Sequence, residues 1–139
     1  MTANQSQREG IMPAQTQNKP GIESEMHPRP LFKAPGYRGS GKLVNQVALI
    51  TGGDSGIGRA VSVLFAREGA DVTIVYLHSE QRDAEETAEA IKSEGRRALL
   101  RPGDVTKPEF CVSAVDKTVE LFGKLDILIN NAAYQQTKD

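Results

Sequence analysis

A glycine-rich turn is the part of the sequence that best fits a chemical role. The glycine loop, defined here as Gly52 to Gly58, reads Gly52-Gly53-Asp54-Ser55-Gly56-Ile57-Gly58 and follows an apolar run at 47–50. Free backbone N–H groups at the start of a helix attract phosphate, and side chains there would hold the phosphate off. Gly52 permits the tight turn, Gly56 lets the backbone approach, and Gly58 lets the helix pack closely. We therefore expect the loop to present bare amides to a dinucleotide's linking phosphates.

Two other interpretations of these glycines are less favourable. Gly53 and Gly58 have the spacing of a P-loop, but Arg59 and Ala60 follow where a P-loop needs Lys and then Ser or Thr. Hydrolysis of nucleoside triphosphates is therefore disfavoured. An ordinary strand–helix turn without a ligand is disfavoured by the position of the loop, between a buried strand and an amphipathic helix.

Strands and helices alternate along the chain from residue 45. Apolar or β-branched runs predict strands at 47–50, 72–76, 98–100 and 125–129, and helical stripes begin at Ile57, near residue 80 and at the capping box Thr106–Glu109. Parallel strands joined by helices of about 12 residues imply right-handed crossovers. The sequence predicts an α/β fold, a Rossmann-type doubly wound parallel sheet truncated after its fourth strand, over residues 45–139.

Composition excludes several classes of protein. The chain has 139 residues, 38% hydrophobic and 25% charged, with a net charge of -1. This suits one core and argues against a nucleic-acid partner. No apolar run predicts a membrane span or a signal peptide, so we expect a cytoplasmic protein with no membrane partner. One cysteine, Cys111, and two histidines predict neither an intramolecular disulfide nor a metal site.

The N-terminal extension, residues 1–44, lacks helical or strand periodicity. Its many Gln, Asn, Pro and Gly residues predict a mostly irregular, solvated segment. The alternative is that its Pro-rich stretch at 27–32 docks on the domain or on a neighbouring subunit, with Leu31 and Phe32 as the anchors.

Three motifs resemble the short-chain dehydrogenase/reductase family. These are Thr51-Gly52-x-x-x-Gly56-Ile57-Gly58, Gly103-Asp104-Val105 and the stretch 125–133, in which Ala133 stands where most members have Gly. Segments 20–26, 37–42 and 52–56 are similar to a subgroup of bacterial general-stress oxidoreductases with an N-terminal extension. The resemblance covers residues 20–139, which correspond to the N-terminal half of such an enzyme.

The resemblance implies particular contacts to an NAD(P) cofactor. Asp104 would accept a hydrogen bond from the adenine amino group, with Val105 beside the ring, and Asn131, Ala132 and Ala133 would lie against a ribose. The implied cofactor-binding set is Gly52, Asp54, Ser55, Gly56, Ile57, Gly58, Tyr76, Asp104, Val105, Asn131, Ala132 and Ala133. The alternatives are that Asp104 is only a carboxylate at a helix N-terminus, and that Asn130 and Asn131 only tie strands together. Asp126 matches a structural position of the family.

The choice between NAD and NADP rests on the end of the second strand. NAD enzymes place an acid there, but 76–79 lacks one and Glu80 is the first. Ser55 stands where many NADP-preferring members have a basic residue, which leaves Arg59 and Arg82 to hold a 2′-phosphate. We favour NADP, or use of both cofactors. Tyr76 either stacks on the adenine side or is a strand residue packed by a helix, and His78 is expected in a solvated loop.

The family's catalytic residues are not found in this sequence. Members transfer a hydride between an alcohol or carbonyl substrate and the nicotinamide, using Ser, Asn and a Tyr-x-x-x-Lys pair that all follow the fourth strand. Tyr134 and Lys138 have that spacing but follow the fourth strand directly, so we consider it a coincidence. We assign no catalytic residue and expect a catalytically incomplete N-terminal part of an NAD(P)-dependent oxidoreductase. The alternatives are a non-catalytic dinucleotide-binding module and a non-functional fragment.

Truncation after the fourth strand has expected consequences for solubility and assembly. In this topology the fourth strand lies beside the first, and its other edge has no partner. We expect Ile127 and Ile129 to line an unpaired apolar edge and the chain alone to be poorly soluble or partly molten. The full-length family implies a homo-oligomer, which is doubtful for this chain.

Overall fold

The computed structural model describes residues 13–134, in which four strands and three α-helices alternate. The strands are β1 (Val47–Thr51), β2 (Asp71–Tyr76), β3 (Ala98–Pro102) and β4 (Ile127–Asn130), and the helices are α1 (Gly56–Arg67), α2 (Gln81–Ser93) and α3 (Pro108–Phe122). The strands and helices fall where the sequence predicts them, within a few residues at each end. None of the helices in this range is long and apolar enough to cross a membrane.

The four strands form one parallel sheet in the order β3-β2-β1-β4. At the centre, Leu49 is in register with Thr73 of β2 on one side and with Leu128 of β4 on the other. The first four residues of β1 and all of β2 are buried, as expected for strands covered on both faces. The parallel α/β architecture and the place of β4 beside β1 are therefore confirmed.

Helices cover both faces of the sheet. On one face α1 and α2 enclose the larger core, in which Ile50, Ile74 and Ile91 are fully buried. On the other face α3 packs through Ala114 against Leu49 and Val75. The fold is therefore doubly wound.

The α3 side of the sheet is only partly covered. Val115 and Val119 are apolar residues of α3, yet they are 38% and 42% exposed. The buried contacts of this helix are made by smaller residues, including Thr118, whose hydroxyl lies 2.9 Å from that of Thr73. Within residues 13–134, α3 is the only helix on this face, so its outer side meets no second layer.

The exposed edge differs from the prediction. Ile127 and Ile129 are half-buried and pack against the core on the α1–α2 side, whereas Leu128 between them is 53% exposed. Successive side chains of a strand point to opposite faces, and the face that contains Leu128 is the partly covered α3 side. The expected apolar surface is present, but Leu128 forms it.

The start of α3 also differs from the prediction. Lys107 precedes the helix, Pro108 is its first residue, and no side chain caps it. The Thr106 amide instead donates to Asp104 Oδ1 at 2.8 Å. Asp104 therefore organises the turn before the helix, and the predicted capping box of Thr106 and Glu109 is wrong.

The described part of the extension, residues 13–44, lies against α1 and α2 and contains one short 3-10 helix, Glu23–Glu25. Leu31 is fully exposed, so it does not anchor the extension on this domain, and its docking on a neighbouring subunit stays a prediction. Phe32 does make a contact, because its ring centre lies 4.8 Å from the guanidinium carbon of Arg59.

Candidate functional site

A cleft of about 550 Å³ opens at the carboxyl ends of the four strands. Ligands of open parallel sheets bind at this end, where the loops after neighbouring strands converge. The cleft is lined by Pro20, Gly52, Asp54, Ser55, Val75, Tyr76, Leu77, Glu80, Gly103, Asp104, Val105, Thr106, Asn131, Ala132, Ala133 and Tyr134.

The structure brings most of the predicted cofactor-binding residues to this cleft. Nine of the twelve line it, namely Gly52, Asp54, Ser55, Tyr76, Asp104, Val105, Asn131, Ala132 and Ala133. Gly56, Ile57 and Gly58 form the first turn of α1, which begins directly after Ser55. Four loops therefore bring the set together, while its role in binding stays a prediction.

The backbone of the glycine loop requires its glycines. Gly52 and Gly56 have positive φ angles of +66° and +52°, in the region that disfavours other residues. A Cβ atom on Gly58 would lie 1.9 Å from the Gly52 carbonyl oxygen, so α1 could not start this close to β1. A Cβ on Gly56 would meet no atom within 4 Å, which leaves room beside that residue for a ligand.

The amides of the loop are only partly free. Gly52 N–H donates to the Val75 carbonyl at 2.7 Å, and Gly56 N–H donates to the carboxylate of Glu23. The expectation of bare amides throughout the loop is therefore wrong at these two positions. In the described chain, the Ile57 and Gly58 amides have no backbone acceptor. Two adjacent free amides at a helix N-terminus fit the linking phosphates of a dinucleotide.

The end of β4 is fastened to the glycine loop. The backbone amides of Asn131 and Ala132 both donate to Thr51 Oγ1 at 3.0 Å, and Asn131 Nδ2 donates to the Gly52 carbonyl at 3.2 Å. Asn131 thus has the structural role considered as an alternative, and it also lines the cleft. Thr51 was not among the predicted site residues, although it begins the glycine motif.

Asp104 combines a local structural role with a place on the cleft. It is exposed, and the hydrogen bond from the Thr106 amide holds the pKa of its carboxyl below the ordinary value. The carboxylate is therefore ionised at neutral pH and can accept further hydrogen bonds. Val105, beside it, is 40% exposed.

Asp54 is a buried acid on the cleft wall. Only 1% of it is exposed. Burial, with a smaller contribution from the negative charge of Glu80, raises the pKa of Asp54 to about 6. Asp54 and Glu80 come from different loops, and no local sequence pattern indicates that both line one cleft.

Tyr76 is packed mainly as a strand residue. It is 3% exposed, belongs to the larger core and donates its hydroxyl to Gln81 Oε1 at 2.6 Å. The buried-strand alternative therefore describes most of its contacts, and the residue also lines the cleft. His78 is exposed in a 3-10 turn, His78–Glu80, as expected.

The two arginines considered for a 2′-phosphate do not reach the cleft. Arg59 is fully buried and forms ion pairs with Glu23 at 2.7 Å and Asp83 at 3.6 Å, so this candidate is wrong. Its charge is already neutralised inside the protein. Arg82 is exposed in the first turn of α2 and is not among the residues that line the cleft.

Two features of the sequence outside the cofactor set are a possible metal site and the Tyr134–Lys138 pair. No group of three or more His, Cys, Asp or Glu residues within 13–134 could hold a metal ion. Tyr134 is 71% exposed at the outer rim of the cleft, and Lys138 lies outside the described residues.

Comparison with known proteins identifies relatives over most of the chain. A model of the family described as short chain dehydrogenase matches residues 46–139. General stress protein 39 of Bacillus subtilis (strain 168) is 57% identical over 129 residues, which are 92% of this chain and 45% of that protein. The uncharacterized oxidoreductase YhdF of the same organism is 56% identical over 133 residues, 96% of this chain and 46% of that protein.

Solved structures agree with the fold. A short chain dehydrogenase from Burkholderia cenocepacia J2315 in complex with NADP is 40% identical, with a TM-score of 0.66, over 70% of this chain and 39% of that one. Carveol dehydrogenase from Mycobacterium avium in complex with NAD is 38% identical, with a TM-score of 0.63, over 67% of this chain and 37% of that one. The resemblance to the family and its stress-protein subgroup is confirmed, and the chain spans about half the length of the curated relatives it matches.

Proposed function

Because the chain belongs to the short chain dehydrogenase family, we propose that residues 45–139 are the cofactor-binding part of an oxidoreductase that takes NADP or NAD. Residues 1–44 form an N-terminal extension to that part. The observation that carries the proposal is the pair of amides at Ile57 and Gly58 that have no backbone acceptor in the described chain, in the first turn of α1 just after Ser55, which lines the cleft.

Each part of the cofactor has a proposed partner on this chain. The amides of Ile57 and Gly58 hold the linking phosphates, supported by the positive end of the α1 dipole. The carboxylate of Asp104 accepts a hydrogen bond from the adenine amino group, and Val105 lies beside the ring. Asn131 to Ala133 present backbone and small side chains to a ribose.

The nicotinamide, when bound, supplies the hydride chemistry by which the family interconverts alcohols and carbonyls. The residues of this chain bind and orient the cofactor, and proton transfer to the substrate is assigned to none of them. We propose alcohol or carbonyl substrates and a homo-oligomer for a polypeptide of the relatives' length, in the cytoplasm.

Cofactor preference is proposed as NADP first, with NAD also used. A relative that is 40% identical is seen with NADP, and the end of β2 carries no acid before Glu80. The carboxyl of Asp54 favours NAD over NADP when it is ionised, because a negative charge on the cleft wall repels a 2′-phosphate. With a pKa of about 6, Asp54 makes the preference depend on pH.

Fluorescence titration of the 139-residue chain tests the proposal. NADPH and NADH are added separately, and binding is followed by the change in nicotinamide emission. We expect saturation with both at micromolar to sub-millimolar concentrations, and no turnover of an alcohol with NADP by this chain alone. Absence of saturation at millimolar NADPH and NADH would reject the function. Turnover that is lost on Tyr134→Phe would show instead that Tyr134 is catalytic.

A further inference from the structure

We propose that Glu23, in the N-terminal extension, is a positioning residue for the dinucleotide: it holds the glycine loop in the conformation that leaves Ile57 and Gly58 free to bind phosphate. This role rests on the proposed function of the cleft. It gives the extension a task in cofactor binding that the glycine motif does not reveal.

The Glu23 carboxylate makes two contacts of different kinds. The residue is 6% exposed. Oε1 lies 2.7 Å from Arg59 Nη1, and Oε2 accepts a hydrogen bond from the Gly56 amide. Gly56 has a φ of +52°. Glycine adopts negative φ angles about as readily as positive ones, so its backbone alone does not hold this conformation. The hydrogen bond fixes that residue, and Ile57 and Gly58 follow it directly.

Arg59 transmits the contact to a second part of the loop. Its Nε donates to the Asp54 carbonyl at 2.8 Å and to Thr87 Oγ1 at 2.9 Å. Glu23 fixes Arg59, and Arg59 fixes the loop at Asp54. The loop is thus held at Asp54 and at Gly56, on either side of Ser55.

Glu23 itself is firmly placed by neighbouring residues of the extension. Its backbone amide donates to Asp83 Oδ2 at 3.1 Å. Arg29 forms two hydrogen bonds with Glu86 of α2, at 3.1 and 2.7 Å, and the Phe32 ring covers the Arg59 guanidinium. The segment from Glu23 to Phe32 is therefore docked on α1 and α2 by contacts at Glu23, Arg29 and Phe32.

The extension is also fastened at the far end of α1. Arg67 donates to the carbonyls of Lys33, Ala34 and Tyr37, at 2.7, 2.9 and 3.2 Å. The carboxylate of Glu68 accepts the Tyr37 hydroxyl and the amides of Ser40 and Lys42. The extension therefore follows α1 from its N-terminus to its C-terminus.

The geometry favours positioning over competition with phosphate. A carboxylate at a helix N-terminus could occupy the place of the ligand. The charge of Glu23, however, is offset by Arg59, and of the loop amides its carboxylate takes only that of Gly56. It approaches the loop from the side of α2, and it leaves the Ile57 and Gly58 amides without an acceptor in the described chain.

The experiment compares ligands with and without linking phosphates on variants of the whole 139-residue chain. The variants are Glu23→Ala, which removes both contacts, and Glu23→Gln, which keeps an oxygen for the Gly56 amide. Glu25→Ala is the matched control, because Glu25 is an exposed acid two residues away. The ligands are NADH and ADP, which carry a diphosphate, and adenosine, which carries none. NADH is followed by fluorescence, and ADP and adenosine by ligand-observed NMR.

We expect Glu23→Ala to weaken NADH and ADP about tenfold and adenosine less than twofold, with Glu23→Gln intermediate and Glu25→Ala unchanged. An equal loss for all three ligands would indicate a merely structural residue and overturn the proposal. Unchanged binding would also overturn it, and tighter NADH binding would show that Glu23 competes with the phosphates.

The proposal can still be tested if Glu23→Ala does not fold, and its failure can be told apart from failure of the proposed function. If Glu23→Ala does not fold, Glu23→Gln decides alone, and an unchanged ratio of ADP to adenosine affinity in that variant rejects the proposal. If the unmutated chain binds no NADH, the proposed function fails, and this role fails with it. A chain that binds NADH equally well with and without Glu23 rejects this role and leaves the proposed function intact.

Discussion

Arg59 lies fully buried beneath the glycine loop, with its Nη1 2.7 Å from Oε1 of Glu23 in the N-terminal extension. A buried cation of this kind is held by several oxygens, here those of Glu23, Asp83 and the Asp54 carbonyl. The relationship joins three parts of the sequence, since the extension, the loop and α2 each contribute an oxygen to one guanidinium.

Removing Arg59 is expected to destabilise the chain strongly. Arg59→Met leaves the buried carboxylates of Glu23 and Asp83 without their cation, which costs about 3 to 5 kcal/mol of unfolding free energy. Urea unfolding measures this, and Arg82→Met, at an exposed position, serves as the control with a change within about 0.5 kcal/mol. Adding Glu23→Gln to Arg59→Met should recover part of the loss. A cost below about 1 kcal/mol for Arg59→Met would contradict the buried pairing.

A side chain at Gly58 is expected to displace the glycine loop. In Gly58→Ala the new Cβ would lie 1.9 Å from the Gly52 carbonyl oxygen, so the first turn of α1 must move away from β1. We expect a loss of about 1 to 3 kcal/mol in unfolding free energy and a loss of NADPH binding. Gly36→Ala is the control, because a Cβ there meets no atom within 4 Å. Equal stability and affinity in both variants would show that the close approach at Gly58 is unimportant.

Asp54 should make cofactor preference depend on pH. Its pKa is about 6, so the carboxyl is largely neutral at pH 5 and ionised at pH 8. The ionised form repels the 2′-phosphate of NADP, and a like-charge repulsion of about 1 kcal/mol corresponds to about fivefold in affinity. We therefore expect the ratio of NADP to NAD affinity to fall as pH rises from 5 to 8, more in the unmutated chain than in Asp54→Asn.

Asp54→Asn separates the titration of this residue from that of the 2′-phosphate itself. Both groups ionise near pH 6, and only the second remains in the variant. Identical pH profiles for the unmutated chain and Asp54→Asn would show that Asp54 does not face the 2′-position. Glu85→Gln, at an exposed site on α2, controls for the general loss of one negative charge.

The contacts between the extension and Glu68, at the C-terminal end of α1, should lose their stabilising effect in acid. Hydrogen bonds from the Tyr37 hydroxyl and from the amides of Lys42 and Ser40 lower the pKa of Glu68 to about 2. Because this folded pKa is depressed, its stabilising contribution is complete above the ordinary pKa of about 4.5 and is lost as pH falls towards 2. Urea midpoints of the unmutated chain should therefore fall more steeply between pH 4.5 and 2 than those of Glu68→Gln.

A matched variant distinguishes the titration of Glu68 from that of other carboxyls. Glu89 is an exposed acid on α2, and Glu89→Gln should keep the steep fall of the unmutated chain. The assignment to Glu68 is contradicted if Glu68→Gln and Glu89→Gln show the same slope.

Most of the sheet and of the cleft could be predicted because their signals are local. The apolar runs of β1 and β2 and the glycines of the loop each specify a conformation within a few residues. The extension could not be predicted in this way. Glu23 has no local pattern, and it is ordered by a cation 36 positions further along the chain. The apparent capping box failed because a nearer carboxylate, Asp104, binds the Thr106 amide.

Contacts between residues far apart in the sequence also explain the errors at the cofactor site. The residue type and place of Arg59 are typical of a phosphate ligand, but burial and the charge of Glu23 decide its partner. Asp54 and Glu80 are far apart in sequence, so only the folded structure shows that both line one cleft.

The central claim, that the Ile57 and Gly58 amides bind the linking phosphates of a dinucleotide, is tested most directly by NMR titration of the ¹⁵N-labelled chain with NADPH. The account predicts large, saturable shifts of these two amides, reproduced by ADP and absent with adenosine. Saturable binding that leaves both amides unmoved, or no saturation at millimolar NADPH, would contradict it.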